Sequence, residues 1–158
     1  MPELAEKIES TCAAYLASFT TWPDSLLTAP DATTYRIFAG EAETEKTGQS
    51  IICYTSGDFT EYPSCSGNFW ADVTIELKTP VSIDATGDTD QLTAHQAAAT
   101  ILEPLIMAAT LPASLEANAS DFTVFGFIDR QHIRERTAEY WLTGFKFKLY
   151  CCSSALSA

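Results

Sequence analysis

The first amphipathic segment of the chain begins at its second residue. Apolar side chains recur at steps of three and four residues, which places them on one face of a helix. Pro2 at the start and Glu3 and Glu6 in the first turn suit a helix N-terminus. The apolar positions are Leu4, Ile8, Cys12, Tyr15, Leu16 and Phe19. The pattern therefore predicts an N-terminal helix from Pro2 to about Phe19.

Three segments before the middle of the chain have the pattern of β-strands. Residues 35–39 and 50–55 are rich in β-branched and aromatic residues. From Phe69 to Leu77, apolar residues alternate with polar ones, which predicts a half-buried strand. Residues 41–48 are acidic, and their pattern fits either a strand edge or a loop. Residues 56–67 contain two glycines, a proline and several serines, so we expect a long loop there.

The central part of the chain predicts a long alanine-rich helix. A connection over residues 78–87 leads to Asp88–Asp90, which offers an N-cap, and the helix is expected from Gln91 to Ala109. Pro104 predicts a kink, or an end near Leu102 with a restart, because proline removes a helix hydrogen bond. A second short helical turn is expected after Pro112.

Two strands close the predicted fold. They are expected over residues 122–128 and 136–151, with Asp129–His132 in the turn between them. The tail from residue 153 to 158 is small and polar, and we expect it to be disordered. The order of elements predicts one α+β domain over residues 1–158. Its antiparallel or mixed sheet would have four to five strands, with an N-terminal helix and one central helix packed on it.

The charge of the chain limits its partners. The sequence has 21 acidic and nine basic side chains, a formal charge of −12. This argues against broad binding of nucleic acid, which requires a basic surface, although acid would suit a wall past which DNA slides. The acidic N-terminus does not resemble a signal peptide, and the apolar stretch at residues 101–109 is too short to span a bilayer. We therefore expect no membrane association.

The cysteines do not form a recognisable pattern. They are Cys12, Cys53, Cys65, Cys151 and Cys152, an odd number without a CxxC pair or zinc-site spacing. Reduced, half-buried thiols are the expectation, and a disulfide between Cys53 and Cys65 is sterically conceivable. Cys151 and Cys152 should point to opposite faces of a strand. Cys65, in the segment Ser64–Ser66, could be a nucleophile, but no helix N-terminus follows it to lower the pKa of its thiol.

Candidate catalytic groups are few. His95 has no carboxylate or cysteine three or four residues away, so we expect it to be exposed or at a rim. His132 could pair with Asp129 or Glu135, although an acid–base role needs a convergence that sequence does not show. No nucleotide-binding or hydrolase motif is present. We expect no catalytic residue, no metal site and no cofactor.

The basic residues have an uneven distribution. Five of the nine lie on the final hairpin: Arg130, Arg134, Arg136, Lys146 and Lys148. Alternation puts both lysines on one face with Tyr140 and Tyr150, opposite the phenylalanines. The sequence predicts a hairpin with an aromatic core face and a basic face. That basic face could bind an acidic subunit. Alternatively, the lysines could prevent an exposed strand from pairing with other molecules and aggregating.

The order of elements resembles one viral protein family. The strand Asn68–Leu77, the Phe-Thr-Val-Phe-Gly-Phe strand at residues 122–127 and the charged aromatic segment from Arg134 to Cys151 resemble the phage tail terminator (minor tail protein U-like, tail completion) family. The resemblance covers residues 3–152. It implies a non-catalytic virion subunit, made in the host cytoplasm and located in the tail or neck.

That family resemblance also implies partners. They are other copies of the chain in a ring, of six subunits by the resemblance, the tail-tube protein and the head-completion or connector protein. DNA would pass through the lumen without specific binding. We expect subunit contacts from the loop at residues 56–67, including Tyr62, and from the hairpin residues Arg130, Arg134, Arg136, Lys146 and Lys148. The alternatives are another head–tail or tail-tube component, or a cone-shaped α+β domain that binds a small molecule or is an enzyme.

Overall fold

Over the part of the chain that the structure describes, the fold is a mixed five-stranded sheet with three helices packed on it. The computed structural model describes residues 2–19, 21–28, 32–40, 48–61, 68–81, 85–108, 110–117, 122–137 and 139–153. In chain order the elements are α1 (Pro2–Ala17), a 3₁₀ turn (Asp24–Leu26), β1 (Ile37–Ala39), β2 (Ser50–Glu61), β3 (Asn68–Pro80), α2 (Ala85–Met107), α3 (Leu111–Ala117), β4 (Phe122–Arg136) and β5 (Tyr140–Ser153). The predicted α+β class, with an N-terminal and a central helix, is confirmed.

The strands are arranged in the order β1-β2-β3-β5-β4. β1 is parallel to β2, and every other neighbouring pair is antiparallel. The two final strands therefore do not simply extend the sheet in chain order. β5 lies between β3 and β4, which leaves β4, a strand of 15 residues, at one edge and the three-residue β1 at the other.

The core is built on the central pair β3 and β5. Directly opposed residues of an antiparallel pair point to the same side of the sheet. The pairs Val73–Phe147 and Ile75–Phe145 are buried on the helix side, and Phe69, Ala71, Leu77, Leu149 and Cys151 continue the same rows. α1 packs on β1 and β2, α2 on β3 and β5, and α3 on β4. The alternation from Phe69 to Leu77 predicted this arrangement correctly.

Helices α1 and α2 are joined directly as well as through the sheet. The Tyr15 hydroxyl donates to the Leu105 carbonyl at 3.0 Å. Trp22, after the end of α1, is buried and donates its indole N–H to the Leu16 carbonyl at 2.9 Å. The backbone N–H of Phe19 donates to the same carbonyl at 3.3 Å, so this end of the helix is closed by two donors from outside its regular hydrogen bonds.

The helix α2 differs from its prediction at both ends. It begins at Ala85, so Asp88–Asp90 lie inside its first turns, where carboxylates also suit the helix dipole. It continues through Pro104 to Met107 and does not end near Leu102. Proline has no backbone N–H, so Pro104 cannot donate a hydrogen bond to the carbonyl of Thr100, four residues earlier. Both residues are exposed, so water can solvate that carbonyl instead. The short helix predicted near Pro112 is confirmed as α3.

The strand boundaries also require corrections. β2 continues to Glu61, with an irregular register between Thr55 and Phe59, so the first half of the expected loop at residues 56–67 is strand. Residues 41–47 and 62–67 lie outside the described part of the chain. Ser153, expected in a disordered tail, pairs with Phe122 at the end of β5. Residues 154–158 lie outside the described residues.

The last turn lies later in the chain than the sequence predicts. Asp129–His132 belong to β4, which passes through register irregularities after Val124 and after Ile128. The chain turns at Thr137. Its hydroxyl accepts hydrogen bonds from the backbone N–H of Glu139 at 3.2 Å and of Tyr140 at 3.1 Å. A threonine whose hydroxyl accepts these bonds thus stabilises a turn that contains neither glycine nor proline among its described residues.

Replacing Phe145 by alanine tests the central β3–β5 core. Phe145 is 1% exposed and lies opposite Ile75, so Phe145→Ala leaves a cavity that should lower the free energy of unfolding by about 3–5 kcal/mol. Urea unfolding followed by circular dichroism measures the loss. Lys146→Ala, one residue along the same strand and exposed, should change it by less than about 0.5 kcal/mol. Equal losses for the two variants would contradict this assignment of the buried face.

Candidate functional site

His95 is the centre of a buried polar chain. Its Nδ1 lies 2.7 Å from the Thr79 hydroxyl of β3, and its Nε2 lies 2.8 Å from the Thr143 hydroxyl of β5. Gln49, just before β2, donates its amide N–H to Thr79 at 2.8 Å and accepts a bond from the Ser25 hydroxyl at 2.6 Å. The chain therefore links α2 to both central strands and to the segment before β2.

The expectation that His95 is exposed or at a rim is wrong, because its side chain is only 6% exposed. Its partners Thr79 and Thr143 are 16 and 48 residues away, so no local pattern could reveal them. Burial first, and the nearby charge of Arg134 second, lower the pKa of His95 from 6.5 to about 4. The imidazole is therefore neutral at pH 7. Since both ring nitrogens face a threonine hydroxyl, neither is directed into open space for proton transfer.

A pocket of about 390 Å³ lies over His95, between α2 and the β4–β5 hairpin. We call it the arginine pocket. One wall comes from α2, with Leu92 and Gln96, and the other from the hairpin, with Arg134, Arg136 and Trp141. Its volume lies within the range of small-molecule sites, although its buried polar groups are already bonded to each other.

Arg134 and Arg136 supply the positive charge of this pocket. They pair with Thr143 and Trp141 of β5, so both point to the helix side of the sheet. The guanidinium carbon of Arg136 lies 4.9 Å from the centre of the Trp141 ring, a cation–π contact that orients the side chain. Arg134 is exposed, and no carboxylate of the described residues lies within 4 Å of it. It is therefore a cation that is available to an external acid.

Lys146 and Lys148 lie on the opposite side of the sheet. They are exposed, pair with Thr74 and Asp72 of β3, and line a groove of about 460 Å³ with Gln131. Tyr150 lies on the same face, stacked on Trp70 with ring centres 4.7 Å apart. The predicted separation of these lysines from the phenylalanines is thus observed.

The predicted single basic face of the hairpin is wrong. On β5, Thr143 and Phe145 point to the helix side and Lys146 points to the other side. Arg134 lies opposite Thr143, so it points to the helix side as well, away from the lysines. The sequence could not show this, because it depends on the register between β4 and β5. Arg130 lies in β4, but its side chain is outside the described part of the chain, as is the whole of Tyr62.

His132 has partners other than those proposed from sequence. It stacks on Phe145, with ring centres 4.7 Å apart and planes 11° apart. Its Nδ1 lies 3.8 Å from Oε1 of Glu103 on α2. Glu135, one of the two carboxylates considered, lies an odd number of residues along the same strand and so points to the other side of the sheet. The side chain of Asp129 is outside the described residues.

The cysteines of the described chain are free thiols. Cys12, Cys53 and Cys151 are fully buried, which differs from the expected half-burial, and Cys152 is partly exposed. Cys151 and Cys152 point to opposite faces, as predicted. Burial raises the pKa of Cys12 and of Cys151 to about 12, so both thiols stay protonated and unreactive. Cys65, and with it the conceivable Cys53–Cys65 bridge and the segment Ser64–Ser66, lies outside the described residues.

The described residues offer neither a cluster of metal ligands nor a single membrane-spanning helix. No group of three or more histidine, cysteine, aspartate or glutamate side chains could hold a metal ion. No single helix is long and apolar enough to cross a membrane, and only a pair bent by 94°, residues 92–107 with residues 111–117, has that length and composition together.

The pH dependence of stability tests the His95 chain. In the unfolded chain His95 takes up a proton near its ordinary pKa of 6.5, whereas in the fold it does so only near 4. The unfolded chain therefore binds more protons between these values, and the stability that neutral His95 contributes is complete above pH 6.5 and lost as the pH falls towards 4.

His95→Ala should lower the free energy of unfolding by about 2 kcal/mol or more near pH 7, because two buried hydroxyls lose a partner. The difference from the unmodified protein should shrink steadily as the pH falls through that window. Urea unfolding at a series of pH values measures it. Gln96→Ala, on the next and exposed position of α2, should keep the original pH profile. A pH-independent difference for His95→Ala would rule out the burial of a neutral imidazole.

Comparison of the chain with models of known protein families and with curated protein sequences gave no match in either case.

Proposed function

We propose that the chain is a non-catalytic assembly subunit that docks on other protein subunits through its β4–β5 hairpin. Its role would be that of a phage tail terminator, which the sequence resembles. Copies would form a ring on the end of a tail tube and join it to head-completion proteins. The observation that carries the proposal is the separation of charge between this hairpin and the rest of the chain.

The charge separation is large. β4 and β5 together carry five basic and two acidic side chains, whereas residues 1–121 carry four basic and eighteen acidic ones. The hairpin is thus the basic part of an acidic protein. Complementary charges of this kind steer association and select partners. An acidic partner fits the hairpin, and the remainder of this same chain is acidic.

The position of the hairpin suits a contact between unlike surfaces. β4 is an edge strand, so the hairpin forms one border of the sheet, and it presents cations on both sides. A basic border that meets an acidic surface elsewhere on the next copy is a head-to-tail contact. Repeated contacts of this kind close into a ring when the rotation between copies divides a full turn. The acidic surface left uncovered would repel the phosphates of DNA passing through the ring.

A small-molecule-binding domain is the second candidate. The arginine pocket favours it, because its volume would accept a small anion. We place it second because the polar groups beneath the pocket, His95 and Thr143, are bonded to each other. Arg134 and Arg136 then supply its charged contacts, whereas the excess of basic residues extends along the whole hairpin.

Electron microscopy tests the assembly function. The purified protein would be imaged alone and mixed with tail tubes from the particle of its own source. We expect rings, or added density at the tube end. Reversing the charges by Arg134→Glu with Arg136→Glu, or by Lys146→Glu with Lys148→Glu, should remove most of the bound density, because each exposed side chain would then repel the acidic partner.

The matched control adds negative charge away from the hairpin. Ser10→Glu with Ala17→Glu alters exposed positions of α1 and should leave tube binding unchanged. Circular dichroism would show that each variant is folded. A protein that stays monomeric and never binds tubes, while its melting temperature rises with a small anion, would overturn the assembly function in favour of the second candidate.

A further inference from the structure

We infer that the arginine pocket binds the acidic segment Glu41–Glu45 of a second copy of the chain. The sequence there is Gly-Glu-Ala-Glu-Thr-Glu over residues 40–45, three carboxylates separated by small residues. This inference rests on the proposed docking function and deepens it by naming both sides of the contact. Arg134 is the anchoring group on the pocket side.

The spacing of charges matches on the two sides. Arg134 and Arg136 are two residues apart on one face of a strand, which separates them by about 6.7 Å along its axis. In an extended chain, Glu41, Glu43 and Glu45 project to one side at the same repeat. An extended acidic segment beside β4 therefore places successive carboxylates opposite successive guanidinium groups.

The chemistry of the pocket selects a carboxylate. A guanidinium group binds a carboxylate through two parallel hydrogen bonds, and the Arg136 side chain is already oriented by its contact with Trp141. His95, beneath the arginines, is neutral and offers no competing charge. Glu135 is the carboxylate that lines the pocket among the described residues, and its side chain belongs to the other side of β4.

The lysine side of the hairpin fits this occupant less well. Lys148 lies directly opposite Asp72 of β3, and Glu76 lies on the same face two pairs farther along. An incoming carboxylate there meets resident acids as well as lysines. The two faces of the hairpin thus provide an internal comparison, with Arg134 and Arg136 of β4 on one face and Lys146 and Lys148 of β5 on the other.

The topology favours a second copy over the same chain. The acidic segment follows β1, whereas the arginines lie on β4, and these strands form opposite edges of the five-stranded sheet. Four strand spacings of about 4.8 Å separate the two edges, about 19 Å in all. Neighbouring copies placed edge to edge bring the end of one β1 beside the β4 of the next. This is the head-to-tail contact that a ring requires.

A peptide titration tests the inference on the folded full-length chain. The peptide would be Gly-Glu-Ala-Glu-Thr-Glu with blocked ends, and the matched control Gly-Gln-Ala-Gln-Thr-Gln. The ¹⁵N–¹H signals of the three tryptophan indoles report binding, with the Trp141 signal assigned through Trp141→Phe. We expect the acidic peptide to shift the Trp141 signal, since that ring lines the pocket. The glutamine peptide should shift none of the three.

Variants separate the two faces of the hairpin. Arg134→Glu should weaken peptide binding about tenfold or more at low salt, as loss of a charge-assisted pair predicts. Lys146→Glu with Lys148→Glu reverses two charges on the other face and should weaken it less than about threefold, through long-range charge alone. In the full chain, Glu43→Arg should partly restore the tube binding that Arg134→Glu removes.

Two results would overturn the inference. One is a loss of selectivity: the acidic and glutamine peptides bind with equal affinity, or the arginine and lysine variants weaken binding of the acidic peptide equally. The other is the absence of any Trp141 shift in a protein that forms rings on tubes, which would leave the docking function standing and place the contact elsewhere. A protein that binds the acidic peptide at Arg134 but never binds tubes would support the pocket and count against the assembly function alone.

Discussion

The antiparallel pairing of β3 with β5 is the constraint from which the rest of this structure follows. Thirteen residues of each strand are opposed without interruption, from Asn68 with Cys152 to Pro80 with Tyr140. A shift of one residue in this pairing would turn both phenylalanines of β5 towards solvent and bring lysines into the core, so the register is strongly specified. It also directs Lys146 and Lys148 of β5 away from the helices.

The sequence predicted those features whose causes are local. The alternation from Phe69 to Leu77 and the three- and four-residue steps of α1 are repeated many times, so single exceptions do not hide them. Features with distant causes were missed. His95 is buried because Thr79 and Thr143 form hydrogen bonds with its two ring nitrogens. Both threonines are far from it in the sequence, so no local pattern predicts them. The Asp129–His132 segment has the composition of a turn, yet Ile128 before it and Gln131 and His132 within it pair with β5, so it stays part of a strand.

In the candidate site too, features with local causes were predicted and features with distant causes were missed. The excess of basic residues on the last hairpin is visible by counting, and both lysines lie where alternation placed them. Whether the arginines join them depends on how β4 aligns with β5, including the irregularity between Ile128 and Gln131. Single-sequence reasoning has no access to that alignment. The structure therefore changed one predicted basic face into two separate ones, the arginine pocket on the helix side and the lysine groove on the other.

The position of His95 also makes it a natural reporter. Its two threonine partners come from β3 and β5, so the imidazole loses one of them if the hairpin moves away from the central strand. The ring would then be solvated and would titrate as an ordinary histidine. The chemical shifts of one imidazole thus distinguish a docked hairpin from a detached one, without any label.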